Sequence, residues 1–185
     1  MKAVPFSRYA VFLLLAAAGC ATDLASKSWV FNRLGMPEQR GIEWIYEPYF
    51  ALQTSTNQGA LFGMGQGKVW LFAAASVVAL IGICYWLFVA GAARDWILTI
   101  ALGLVIGGVL GNLYDRLGLW AVPGEPGTRI YAVRDWILWQ WPPRSWPNFN
   151  IADSLLVCGG ALFAWRALKP SELATPSTES PLAKS

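Results

Sequence analysis

A small set of charged and amide side chains stands inside or at the edges of long apolar runs. They are Asp23 and Lys27 in "DLASK", Asn112, Asp115 and Arg116 in "GNLYDR", Asp135 in "AVRDWIL", and Asn150 and Asp153 in "NFNIADS", with Asn57 in "TNQGALF". A charge placed in hydrocarbon costs on the order of 2.5 to 3.5 kcal/mol on insertion scales, so each of these groups needs a partner or a chemical task. The chain has no histidine, which removes Ser-His-Asp and Cys-His nucleophiles, the HExxH zinc protease and any histidine relay. Bond-breaking chemistry is left to carboxylates, lysine, serine and tyrosine. Two carboxylates placed together split their pKa values, and one then serves as general base towards water while the other serves as general acid. Asp115, Asp135 and Asp153 are the candidates for such a pair. Residue type and spacing do not choose between Asp115 and Asp135 as the partner of Asp153, and a purely structural polar network accounts for the same residues.

Spacing adds detail. Asp23 and Lys27 are four residues apart, share a helix face and can neutralise one another, tying the first helix to its neighbours. Asn112, Asp115 and Arg116 lie three and four apart on one face, and Gly107, Gly108 and Gly111 let a second helix approach. Asn148 or Asn150 is placed to cap a helix, whereas capping leaves Asp153 unexplained. Ser26, Lys27 and Ser154 raise a Ser-Lys peptidase, but Lys27 already has Asp23 one turn away. The cysteines Cys20, Cys84 and Cys158 sit singly in apolar runs, so no disulfide or metal spacing is indicated and each is expected to pack as a small apolar residue.

The elements that must carry these groups are membrane spans. The chain is 56% hydrophobic and 14% charged with 11 tryptophans, and its net charge of +3 is scattered, without the basic stripe of a nucleic-acid binder. A span takes about 20 mostly apolar residues. Helices are expected over about 9–31, 69–91, 96–115 and 149–166, joined by long connections 32–68 and 117–148 and a minimal Ala-Ala-Arg-Asp link. With four spans, both long connections emerge on one side and both termini on the other. Lys2, Arg8, Arg94, Arg166 and Lys169 flank the short side, which places the termini in the cytoplasm. Residues 1–169 then form one transmembrane domain, and 170–185, rich in Ser, Thr, Pro and Glu, a disordered cytoplasmic tail. "WIYEPYFALQTSTNQGALFGMG" suits a small sheet or hairpin ending in an Asn-Gln-Gly turn. Trp136, Trp139, Trp141 and Trp146 suit an interfacial loop lying on the bilayer. The fold class is an all-α membrane protein with four transmembrane helices, a small extracytoplasmic sheet or cradle and that loop. Its topology lets Asn57, Asp115, Asp135 and Asp153 converge on one face.

Two other readings follow from the same chain. "LLLAAAGCATD" has the look of an export signal ending at a lipidated Cys20. Three further spans make such an anchor redundant, and the stretch is read as a retained first helix with Cys20 packed inside it. A transporter or scaffold with a polar core is the other alternative, although neither internal repeats nor broken helices are present in the pattern.

"DLASK", "NQGALF", "GNLYDR", "VRDWI" and "FNIADS", in this order and on these segments, resemble the lipoprotein signal peptidase family, also called signal peptidase II, over all but the termini. The resemblance implies a four-helix aspartic endopeptidase of the bacterial inner membrane. Such an enzyme has a periplasm-facing site that cuts signal peptides before a diacylglyceryl-modified cysteine. It implies Asp135 and Asp153 as the catalytic pair, and Asn57, Asn112, Asp115, Arg116 and Asn150 as binding or supporting residues, with Asp115 beside Arg116. Asp23 and Lys27 would stabilise the bundle. The implied partners are lipid-modified prolipoprotein signal peptides and membrane lipid, with no nucleic acid, no metal and no cofactor, and the enzyme is expected to act as a monomer. Three features depart from the family pattern. "GLWAVPGEPGTRIYA" lengthens the path from Asp115 to Asp135, Arg134 stands where an apolar residue is usual, and Trp136 replaces a common phenylalanine. Should the longer path reroute the loop, Asp115 is the alternative partner of Asp153.

Overall fold

The computed structural model describes residues 3–37, 39, 41–59 and 64–169. The expected tail 170–185, Lys2 and positions 60–62 of the "NQGALF" motif lie outside the described residues. Among the described residues, four helices are long and apolar enough to cross a membrane. Helix α1 runs from Phe6–Leu34, α2 from Val69–Cys84, α3 from Trp96–Arg116 and α4 from Ile151–Leu168. Helix α1 exceeds the expected span at both ends, and α4 starts two residues later than expected because Asn150 is its cap.

Local chemistry sets the helix ends. The last turn of α2 widens into a π-helical turn over Tyr85–Val89, and Gly91, in the left-handed region at φ 83°, reverses the chain where a Cβ would be strained. Asp95 then opens α3 by accepting hydrogen bonds from the backbone N–H groups of Ile97 and Leu98 at 2.8 and 3.2 Å. Asp95 also pairs with Arg166 at the end of α4, and the Arg8 guanidinium lies 3.3 Å over the Trp96 ring. The beginnings of α1 and α3 and the end of α4 therefore meet at one end of the bundle.

Helix α3 is the central one: 56% of its apolar window is buried, against 11 to 17% in the other three. Glycines make that possible. A Cβ on Gly108 would lie 2.5 Å from the Ala152 carbonyl oxygen, and one on Gly159 would lie 2.6 Å from that of Ala101, so α3 and α4 touch backbone to backbone. On the other side Gly107 packs on Ala16 of α1, and Phe12, Ala16, Leu102 and Ile106 form a core with Leu87.

At the opposite end the two long connections meet in one antiparallel sheet. Strands β1 (Glu43–Tyr46) and β2 (Phe50–Asn57) come from the first connection, β3 (Val133–Trp141) and β4 (Arg144–Ser145) from the second, in the order β1-β2-β3-β4. The second connection thus supplies strands as well as the interfacial tryptophans, Trp139, Trp141 and Trp146 being exposed. The Asn-Gln-Gly segment is not the hairpin turn; the chain turns at Glu47, Pro48 and Tyr49, and Asn57 closes β2. A bulge in β2 between Leu52 and Ser55 shifts the register, after which Ser55 faces Asp135 and Asn57 faces Val133. Strand β3 is also bridged to the chain just before α4: Phe149 O accepts from Trp136 N and Ile137 N at 3.0 and 2.9 Å.

Candidate active site

Four elements, β2, β3, α3 and α4, bring Asp135 and Asp153 together. Asp135 sits on β3, and Asn57, two residues beyond its cross-strand neighbour Ser55, shares its face of the sheet and hydrogen-bonds its carboxylate. Asp153 is the third residue of α4. There Asn150 Oδ1 accepts from Asp153 N at 3.0 Å while Asp153 Oδ2 accepts from Asn150 N at 3.2 Å, a reciprocal capping box. The expectation that capping leaves Asp153 unexplained is therefore corrected: one oxygen of this carboxylate does cap the helix. The other, Oδ1, accepts from Asn112 Nδ2 on α3 at 2.9 Å.

The two aspartates are joined by an amide bridge. Asn150 Nδ2 donates to Asp135 Oδ1 at 2.6 Å and to Asn112 Oδ1 at 3.2 Å, and Asn112 passes the chain on to Asp153. Asn150 is fully buried and Asn112 nearly so, which holds both amides in one orientation. In front of the bridge lies a pocket of about 30 Å³, room for about one or two water molecules. Asn57, Asn112, Arg116, Asp135 and Asp153 line it, together with Val133 and the stretch Trp146 to Phe149. Arg116 lies over the Phe72 ring at 5.7 Å and donates from Nη2 to the Gly59 carbonyl at 3.2 Å.

Asp135 is 3% exposed. Burial first, and then the charge of Asp153, push its pKa from 3.8 up to about 7, against hydrogen bonds from Asn150 and Asn57 and the charge of Lys27. Asp153 offers both oxygens as acceptors to fixed donors, Asn112 Nδ2 and Asn150 N.

Asp115 does not line the pocket. It lies behind the amide bridge in a buried ion cluster with Asp23, Lys27 and Arg134. Lys27 Nζ lies 2.7 Å from Asp23, 3.2 Å from Asp115 and 2.9 Å from Asn112 Oδ1, and Asp23 Oδ1 accepts from Ala152 N of α4 at 2.8 Å. Gly111 leaves the space for Asp23, whose carboxylate oxygen would lie 2.3 Å from a Cβ there. Asp115 was expected beside Arg116; its ion-pair partners are instead Lys27 and Arg134. With both of its oxygens engaged in this cluster, it is not placed as the partner of Asp153. The Ser-Lys alternative also lacks its geometry: Lys27 is saturated, and the Ser26 and Ser154 hydroxyls donate to the Asp23 and Asn150 carbonyls. Arg134, Asn148 and Phe149 were not singled out as site residues. Asn148 carried a signal as a possible cap and Arg134 one as a charge where the family pattern has an apolar residue; Phe149 carried none.

Beside the pocket opens an apolar groove of about 700 Å³, lined by Trp139, Trp141, Trp146, Phe149, Val157 and Cys158 and reaching Asp153. Polar pocket and apolar groove share Trp146, Phe149 and Asp153.

The family profile described as Signal peptidase (SPase) II matches residues 15–169. The lipoprotein signal peptidase of Rhodopirellula baltica is 52% identical over 86% of this chain and 72% of its own length, and that of Symbiobacterium thermophilum is 35% identical over 82% and 90%. Two solved chains described as bacterial membrane enzymes, each 24% identical, have the same fold. Their TM-scores are 0.74 and 0.73, over 91% and 92% of this chain and 92% and 99% of theirs. With the family profile spanning four helices, sheet and pocket alike, this chain belongs to the signal peptidase II family of membrane proteases.

Proposed function

We propose that this protein is an aspartic endopeptidase that removes the signal peptides of diacylglyceryl-modified prolipoproteins, cutting before the lipidated cysteine with a water activated by Asp135 and Asp153. One observation carries the reading: two carboxylates with opposite surroundings face one water-sized polar pocket, which opens into an apolar groove. Asp153, ionised, takes a proton from the water as its oxygen attacks the scissile carbonyl carbon. Asp135, which holds its proton up to about pH 7, donates a hydrogen bond to the developing oxyanion. Collapse of the tetrahedral species breaks the C–N bond, and the leaving amine takes a proton from the dyad. Arg116 and Asn57 orient the peptide backbone, and the acyl chains stay on the apolar side. The enzyme works as a monomer in the bacterial inner membrane, termini in the cytoplasm and sheet and pocket on the periplasmic side, as the flanking Arg8, Arg94 and Arg166 favour.

The test is to make Asp135→Asn and Asp153→Asn separately and follow processing of a lipidated precursor. Each is expected to abolish processing while the protein still accumulates in the membrane, and wild-type turnover is expected to fall as pH rises past about 7. Full activity in either variant overturns the dyad.

A further inference from the structure

Arg134 precedes Asp135 and is almost fully buried, at 2% exposed. Its Nε and Nη2 donate to Asp115 Oδ1 at 3.1 and 2.8 Å, and its backbone N–H donates to Asp115 Oδ2 at 3.0 Å, so one residue grips both oxygens of one carboxylate. Nη1 reaches Ser28 of α1 at 3.3 Å. The guanidinium is sealed by aromatic faces, 4.9 Å from the Trp120 ring and 5.9 Å from Phe31. Trp120 and Val122, both 4% exposed, come from the long segment between Asp115 and Asp135 and pack with Phe31.

The grip has two consequences for the dyad. It ties β3 to the end of α3 one residue ahead of Asp135, and the Arg134 carbonyl lies 3.4 Å from Asn150 Nδ2, the amide that holds Asp135. It also closes the charge count. Arg134 and Lys27 balance Asp115 and Asp23, so the buried cluster is neutral, and Lys27 keeps a donor for Asn112, the amide that holds Asp153. The cluster therefore touches both members of the amide bridge.

We propose that Arg134 is a positioning residue for the reaction, its clamp on Asp115 setting the place of Asp135 relative to Asp153. The proposal rests on the reading of those two aspartates as the dyad. The charged groups around Asp135 are Arg134 on its own strand, Asp115 and Arg116 on α3, Lys27 on α1 and Asp153 on α4; β2 presents the neutral Asn57. Replacing Arg134 by a neutral residue leaves Asp115 and Asp23 to share Lys27. The excess negative charge makes Asp135 hold its proton more tightly.

Steady-state kinetics on a diacylglyceryl-modified precursor across pH test this with Arg134→Met, Arg134→Lys and the double variant Arg134→Met/Asp115→Asn. Arg134→Met is expected to lower kcat by about tenfold or more with KM within about twofold, and to move the alkaline limb of the rate profile up by about 0.5 to 1 pH unit. Arg134→Lys, which keeps the charge but not the fork, should return the limb to its place without restoring full kcat. Removing one member of a buried pair destabilises strongly. If Arg134→Met fails to accumulate, the double variant, with no net change of charge, answers instead: its limb stays at the wild-type position and its kcat remains low. Wild-type kcat in Arg134→Met, or in the double variant where that one is needed, overturns the proposal, and so does a loss confined to KM. An inactive Asp135→Asn beside a normal Arg134→Met rejects the role of Arg134 alone, whereas an active Asp135→Asn rejects the dyad.

Discussion

Asp135 and Asp153 are the same residue type in unlike surroundings. Asp153 lies at the amino end of a helix with donors on both oxygens; Asp135 lies in a nearly closed pocket where burial favours its protonated form. The second setting carries a stability cost with a definite sign. Between about pH 4 and 7 the folded protein keeps a proton on Asp135 that the unfolded chain, titrating near 3.8, has lost. Stability therefore falls as pH rises through that window, and the full cost is present above about 7. Asp135→Asn removes it. The variant is expected to unfold at nearly the wild-type temperature near pH 4 and at a higher one near pH 8, a gap on the order of a few kcal/mol at most; equal shifts at both pH values would contradict the assignment. At this scale much of the pocket was legible, because carboxylates and amides inside apolar runs are costly and stand out. Arg134 stood out as a charge where the family pattern has an apolar residue, but its partner was not legible, since Asp115 is 19 residues away across an irregular segment and no spacing rule connects them.

At the scale of elements, the proposed dyad depends on how closely α4 lies on α3. The donor of Asp153 is Asn112, one turn beyond Gly108, and Gly108 is where the Ala152 carbonyl rests. Gly108→Ala must push the helices apart, because the atom in the way is backbone. The expected result is a loss of about 1 to 3 kcal/mol in stability, read by thermal unfolding in detergent, together with a fall in turnover. Gly160→Ala, with nothing within 4 Å of the added methyl, is the control and should leave both unchanged. The four spans were readable from hydropathy alone to within a few residues, and the glycine run marked α3 as a helix approached closely. Strand β3 was harder. Its pattern "VRDWILWQW" does not alternate, because its first half is buried against the helices and its end is exposed. Its partner β2 lies some eighty residues earlier, beyond any local signal.

Over the whole molecule, the sheet and the polar cluster occupy one end of the bundle, and the groove runs from that end down the side of α4. A substrate carrying acyl chains can keep them in an apolar phase while its backbone enters the pocket. Cleavage of a diacylglyceryl-modified precursor and its unmodified form, compared in vitro, is expected to differ by about 100-fold or more in kcat/KM, from the apolar area the chains bury. Equal cutting of both would contradict the proposed specificity. The ion cluster has a consequence for how the protein is made. Asp23 and Lys27 precede their other partners along the chain and enter the membrane with only each other, while Asp115 comes with α3, Arg134 with β3 and the Ala152 N–H with α4. The first helix thus carries a half-satisfied pair until those later elements follow it. Its last partner arrives with the same turn of helix that delivers Asp153, so a nascent chain has no complete protease site until its polar core can close.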